Sequence, residues 1–302
     1  MFSTFLGKFK TVKQETDAEP DTDPFSEYIQ IGNREVITDF YLASDTTSDA
    51  VTCNYKVFVR LNGNTKKITN VTFMHCIFDS CYFKECVFDS CKFIGCKFIS
   101  CNMPKCSFPA TLFKYTIFER TYIPDEIITN NAPDEENLRI KFARSLRVNF
   151  QQIGDPDAVN KAIAVELKAT SIYLKKSWKS KSDYYKRNFP GIRERTPQFL
   201  KWLEFIIMDF IWGNGESIFK LIRLSLIMLV MMSFYDCVIR DCGFGWQSIK
   251  DGAVNSLRVL FGVKIQELAT LYDAKYMVLA TFARLVLFGL FMTVLVKRFG
   301  KR

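Results

Sequence analysis

Seven cysteines stand at strict five-residue intervals, Cys76, Cys81, Cys86, Cys91, Cys96, Cys101 and Cys106, and each is followed two positions later by a large apolar residue. Those partners are Phe78, Phe83, Phe88, Phe93, Phe98, Met103 and Phe108. A period of five belongs neither to a helix nor to a lone strand, so it is the period of a repeat. The phase starts at Val71/Phe73 and continues without cysteine through Thr111/Phe113, Thr116/Phe118 and Thr121/Ile123, eleven units in all.

This pattern resembles the pentapeptide-repeat family, in which a small residue sits two places before a central Leu or Phe. The implied fold is a right-handed quadrilateral β-helix: each pentapeptide makes one face and four make a coil. Residues twenty apart then stack at roughly the inter-strand spacing of ~4.8 Å. Phe78 is expected under Phe98 and Phe118, Phe83 under Met103 and Ile123, and Phe88 under Phe108. Cysteine and threonine share the small inner slot, where a free thiol behaves as a small hydrophobe.

Other uses of so many cysteines fit less well. Zinc needs ligands that converge, and this spacing puts successive thiols on different faces; the single histidine, His75, stands at the start of the tract. Stacked parallel Cβ vectors are poor disulfide geometry. Met1 to Lys13 is too short and too broken by lysine for a secretory h-region. The expectation is reduced thiols filling a core, with no metal and no cofactor.

The other end of the chain is apolar in a different way. Residues 276–296 carry one charge, Arg284, and residues 218–239 form a second stretch in which Lys220 and Arg223 can reach the interface. Both read as transmembrane helices. Basic residues precede the first span, ten Lys/Arg over 168–201, and Lys297, Arg298, Lys301 and Arg302 trail the second. The positive-inside rule therefore places both termini in the cytoplasm. Juxtamembrane charge facing anionic lipid accounts for much of the net +9, so nucleic acid is not an expected partner.

Between the spans, Ile249 to Phe261 reads as a short amphipathic helix followed by Gly262. Span, short helix, turn and span is the plan of a two-transmembrane potassium-channel-like pore. Gly213, Gly215 and Glu216, just before the first span, resemble the turn found there in bacterial pentapeptide-repeat proteins with such a channel domain. Residues 289–299 resemble the end of their inner helix, and 137–175 their linking helical hairpin. The resemblance implies a homo-oligomer, a tetramer, in the inner membrane. One departure matters: potassium filters need two glycines to aim successive carbonyls at the ion. Either alignment of the loop puts Lys264 on a glycine position, with Gln266 or Gly262 on the other, so potassium selectivity is not expected. Lys264 and Glu267 are then the charges predicted at the mouth. Arg284, about eight residues into its span, is a candidate gating or buried-pair charge, with Glu267, Asp251 or a neighbour's carboxylate as partner. Asp236 and Asp241 are expected at the outer interface.

The middle of the chain reads as an amphipathic helix pair. Leu138, Phe142, Leu146 and Phe150 form one stripe and Ala158, Ala162, Val165 and Ala169 another, with Asp155 as N-cap and Pro156 at the first helical position. Two such helices bury little alone and should rest on the solenoid end or on a partner. Residues 11–27 have a composition that predicts disorder.

The expected layout is 1–30 an N-terminal segment and 31–123 the solenoid with its cap, the repeats being 71–123. A hairpin and basic linker follow over 124–198, then a membrane domain over 199–302. That domain comprises an interfacial helix at 199–212, spans at 218–239 and 276–296, and a pore loop at 246–268. No phosphate-cradling loop or nucleophile elbow is present, and no enzyme is expected. Three functions compete: an ion channel with a cytoplasmic sensory solenoid, a membrane-anchored scaffold, and a DNA mimic. The last needs an acidic rod, which the lysines of 71–123 deny.

Overall fold

The computed structural model describes residues 34–47, 51–239, 245–263 and 272–299, with residues 297–299 as backbone only. Its first part is a β-solenoid of about four turns. Fourteen short strands, from β1 (Val36–Thr38) to β14 (Ile117–Glu119), run parallel to their neighbours in four ladders. In the longest ladder β4 (Val57–Val59), β8 (Ile77–Asp79), β12 (Lys97–Ile99) and β14 stack with Phe58, Phe78, Phe98 and Phe118 in register. The Phe78 and Phe98 rings lie 4.7 Å apart and nearly parallel, and Phe98 and Phe118 5.2 Å apart, so ring stacking follows the strand spacing. Rings from adjacent ladders meet edge-on, as Phe93 does Phe98 at 64°. The core is thus a column of phenyl rings. Phe78, Phe83, Phe88, Phe93, Phe98, Met103 and Phe113 are buried, and so is Phe108 nearer the surface.

The small slot does more than fit. The Sγ of Cys96, Cys101 and Cys106 donates to the carbonyls of Phe73, Phe78 and Phe83 at 3.2–3.3 Å. Thr111 and Thr116 make the same bond with their hydroxyls, to Phe88 at 2.6 Å and Phe93 at 3.0 Å. Cysteine and threonine can both occupy that slot because each is small and each reaches a carbonyl of the coil below. The coil corners fall two residues after each central ring. His75, Ser80, Glu85, Ser90 and Ser100 all adopt φ between 51 and 56° there. From 75 to 120 that position never holds Val, Ile or Thr, the residues that tolerate positive φ least.

The solenoid begins before the repeats that the sequence announces. The twenty-residue register runs back from Val71 to Thr52, which pairs with Thr72. In the preceding coil the pairing slips, Ile37 to Phe58 and Thr46 to Ile68. Gly63 at a central position and Lys56 and Lys66 in small slots hide these units from a pattern search. Lys56 is accommodated by turning out to Glu35, 2.9 Å away.

Helices follow: α1 (Ile127–Asn130), α2 (Glu136–Ile153) and α3 (Pro156–Lys179). The stripe Leu138, Phe142, Leu146 and Phe150 is buried, and Phe142 stacks on Phe113 at 5.8 Å, so α2 closes the last coil. It also supplies that coil with hydrogen bonds. Ser145 Oγ accepts from Phe118 N–H at 3.0 Å, Asn149 Oδ1 from Thr121 N–H at 2.7 Å, and Gln152 Oε1 from Arg120 N–H at 2.9 Å. One helix face thereby satisfies an edge that would otherwise be open to another strand. Asp155 caps α3 as predicted, accepting from Ala158 N–H at 2.9 Å with Pro156 at the first position.

The chain continues through α4 (Asp183–Asn188), α5 (Ile192–Trp212), α6 (Ile218–Ile239), α7 (Trp246–Phe261) and α8 (Ala274–Phe299). α5 packs on α3 through Trp178, which meets Phe199 edge-on at 5.1 Å and Trp202 at 5.3 Å. No residue of α5 is fully buried, and its apolar stripe stays open, with Ile192, Leu200 and Phe210 exposed.

Candidate functional site

Two helices are long and apolar enough to cross a membrane, Ile218–Ile239 and Ala274–Val296. A core helix of a soluble protein would be mostly buried, whereas only 17% of each apolar window is buried here. Phe219, Val230, Phe282 and Phe288 all face outward. α7 packs against both helices and so completes a three-helix unit.

Small residues allow that packing. Ser248, Gly252 and Ser256 recur every fourth residue on α7, and the first two meet α6. A Cβ on Gly252 would lie 2.9 Å from Ser233 Oγ and 3.3 Å from Asp236 Oδ2, so the helices approach as only glycine permits. Cys237 Sγ donates to the Ser248 carbonyl at 3.6 Å, and Ser256 Oγ to Gly252 at 2.7 Å. Asp236, near the end of α6, is completely buried, and its carboxylate accepts from the phenol of Tyr272. The reason is local: α7 covers that face of α6, and Tyr272 closes it from the third side. Tyr235 and Tyr276 stack at 4.5 Å beside the pair.

Gly262 ends α7 in the left-handed conformation, φ 73°, with its N–H bonded to Val259 O and Val263 N–H to Arg258 O. A Cβ there would overlap the guanidinium of Arg284, whose Cζ lies 2.9 Å from that position. Arg284 therefore sets its charge at the C-terminal end of α7, where the helix dipole favours a cation. No carboxylate among the described residues, Asp251 included, pairs with it. The same guanidinium is the one charge lining a cavity of about 590 Å³ between α6, α7 and α8, whose walls include Leu221, Leu226, Leu257 and Phe288. Lys264, Gln266, Glu267 and Asp241 lie outside the described residues.

The turn ahead of α6 joins this unit to the rest. Gly213, Asn214 and Gly215 all have positive φ, 67, 53 and 87°. Gly213 N–H bonds Asp209 O, Asn214 N–H bonds Met208 O, and Glu216 N–H bonds Gly213 O at 3.2 Å. The chain reverses there, and α5 comes back beside the base of α6. Lys220 pairs with Asp209 at 2.7 Å, and Arg223 donates to the Phe210 carbonyl at 2.6 Å while lying over its ring. A polar cavity of about 440 Å³ separates this turn from Asn160, Ile163 and Leu167 of α3, with Val294 of α8 on its far wall. The helix pair, through α3, the turn and both apolar helices thus meet around one space.

Sequence reasoning missed Asp236, Tyr272 and Gly252 as a group. Nothing in the spacing of three residues on three segments announces their contact. No known protein-family model matches the chain, and a search of curated proteins finds no match.

Proposed function

We propose that this chain is the subunit of an oligomeric membrane ion channel without potassium selectivity, whose right-handed quadrilateral solenoid serves as a cytoplasmic sensory or gating domain. The observation that carries the reading is the three-helix unit: a short amphipathic helix, α7, wedged between two long, outward-facing apolar helices and ending at Gly262 beneath Arg284. In a tetramer around one axis, Lys264 and Glu267 would repeat as charged rings at the mouth. Both spans cross the inner membrane with the termini in the cytoplasm, as the basic flanks favour. The lipid bilayer, further copies of the chain and a permeant ion are its partners.

The meeting of α3, the Gly213–Glu216 turn and Val294 around one cavity supports a route by which the solenoid could act on the spans. Purified protein in planar bilayers tests the reading. Currents with weak discrimination between potassium and sodium are expected, and persistent silence of an intact oligomer would overturn it.

A specific observation favours a second reading. The one glycine of 262–267 is taken up as the cap of α7, which leaves a carbonyl-lined filter without its flexible positions. A non-conducting, membrane-anchored scaffold is the function that remains if no current is found.

A further inference from the structure

Asp236 is the only carboxylate of α6 and is fully buried beneath α7. Three segments converge on it. From α7, Gly252 lies close against Ser233 and Asp236, where a Cβ would crowd the Ser233 hydroxyl and carbonyl first and the carboxylate next, and the Ser248 carbonyl accepts from the thiol of the adjacent Cys237. From the chain entering α8, Tyr272 donates its hydroxyl to Asp236 Oδ1. Tyr272 is itself buried, within an apolar cluster with Met232 of α6, Val259 of α7 and Ala280 of α8. Through Tyr272, which packs with Val259 of α7, Asp236 therefore links α6 to the start of α8 and to the short helix.

A carboxyl group is a costly choice for that place. Burying it among apolar helices is unfavourable unless it is bonded, and an apolar residue of similar size would pack without the penalty. What the carboxyl adds is geometry. A directional bond to Tyr272 admits one register of α6 against the start of α8, where apolar contacts alone would admit several.

We infer that Asp236 is a positioning residue: through Tyr272 it holds α6, α7 and the start of α8 in one arrangement, and that arrangement sets ion permeation. The second half rests on the channel reading; the first does not. The permeability ratio distinguishes positioning from mere stability, because a helix bundle that is only weakened loses oligomer and current without changing which ion passes.

The test uses the full-length oligomer and four variants. Asp236→Ala and Tyr272→Phe each remove the bond, the double variant removes both partners, and Asp236→Asn keeps an oxygen that can accept from Tyr272. Hydrogen exchange of the first turns of α8 should accelerate roughly tenfold in Asp236→Ala and in Tyr272→Phe, no further in the double variant, and little in Asp236→Asn. In planar bilayers the cation/anion permeability ratio should shift in the same two variants and return towards the unaltered value in Asp236→Asn. Unchanged exchange in both single variants would overturn the tie itself, whether or not the protein conducts. Altered exchange with an unchanged permeability ratio would overturn its role in permeation and leave the channel reading standing. Silence of the unaltered oligomer would overturn the channel reading and the permeation role together, and leave the tie to be judged by exchange.

Discussion

The side-chain amide of Asn149 bonds both the N–H and the C=O of Thr121, at 2.7 and 2.8 Å. It does for the last coil what a further coil would do, and it is fully buried in doing so. Asn131 behaves similarly one face away, where its amide takes the Phe108 carbonyl at 2.7 Å, the bond that Cys or Thr makes elsewhere. The solenoid therefore ends on amides that imitate its own ladder. Asn149→Leu should cost about 2–4 kcal/mol, since it leaves two buried backbone groups without partners. Hydrogen exchange should locate the loss at 111–123 and spare the coils around Phe78.

The ring column makes a second prediction. Phe98 stands between Phe78 and Phe118 and is almost wholly buried, so Phe98→Ala opens a cavity with no nearby side chain to fill it. A loss of roughly 3–5 kcal/mol is expected in denaturant unfolding. An unchanged midpoint would contradict the packing described.

Cys101→Thr should be nearly neutral, because a hydroxyl in that slot can still reach the Phe78 carbonyl, as Thr116 reaches Phe93. Cys101→Ala should be worse than Cys101→Thr, since it removes the donor and leaves space. Comparing the two melting temperatures separates bonding from size.

Burial in the core pushes the Cys91 thiol above its usual range. The folded state therefore favours the neutral thiol. Its contribution is complete below the unfolded value of about 8.5 and is lost as pH rises through the raised folded value. Solenoid stability should decline on the alkaline side, and Cys91→Thr should flatten that decline. Circular dichroism melts between neutral and alkaline pH check this.

Gly262→Ala meets two obstacles, a φ of 73° and the guanidinium of Arg284. A destabilisation of about 1–2 kcal/mol is expected from the backbone alone. Arg284→Gln, a shorter and uncharged side chain, should relieve part of the remainder, so the two changes should be less than additive in thermal melting of the protein. Strict additivity would show that the two residues do not interact.

The repeat register was legible because it is written in local terms. A small residue, a large residue and a fixed interval of five determine which side chains point inward and which stack, and no tertiary information is needed for that. The two apolar spans were legible for a similar reason, being composition over a length. The helix pair could be read from its stripes and from Asp155–Pro156. Its docking was narrowed to the solenoid end or a partner; the bonds that make it could not be read, since Ser145, Asn149 and Gln152 look like ordinary polar residues until they meet the backbone of 118–121. The coil over 51–70 was hidden because Gly63, Lys56 and Lys66 break the pattern that backbone pairing keeps.

In the membrane-type unit the division is sharper. Sequence alone marked Arg284 as a charge within an apolar run. Only tertiary structure brought it onto Gly262, drew Asp236 under Gly252 and joined it to Tyr272. Those contacts link residues far apart in the chain, and the bonds and close packing that offset the cost of burying polar groups are recorded in no local pattern. Periodicity is a property of neighbours along the chain; the pairing of buried charges and amides is decided by which surfaces the folded chain brings together.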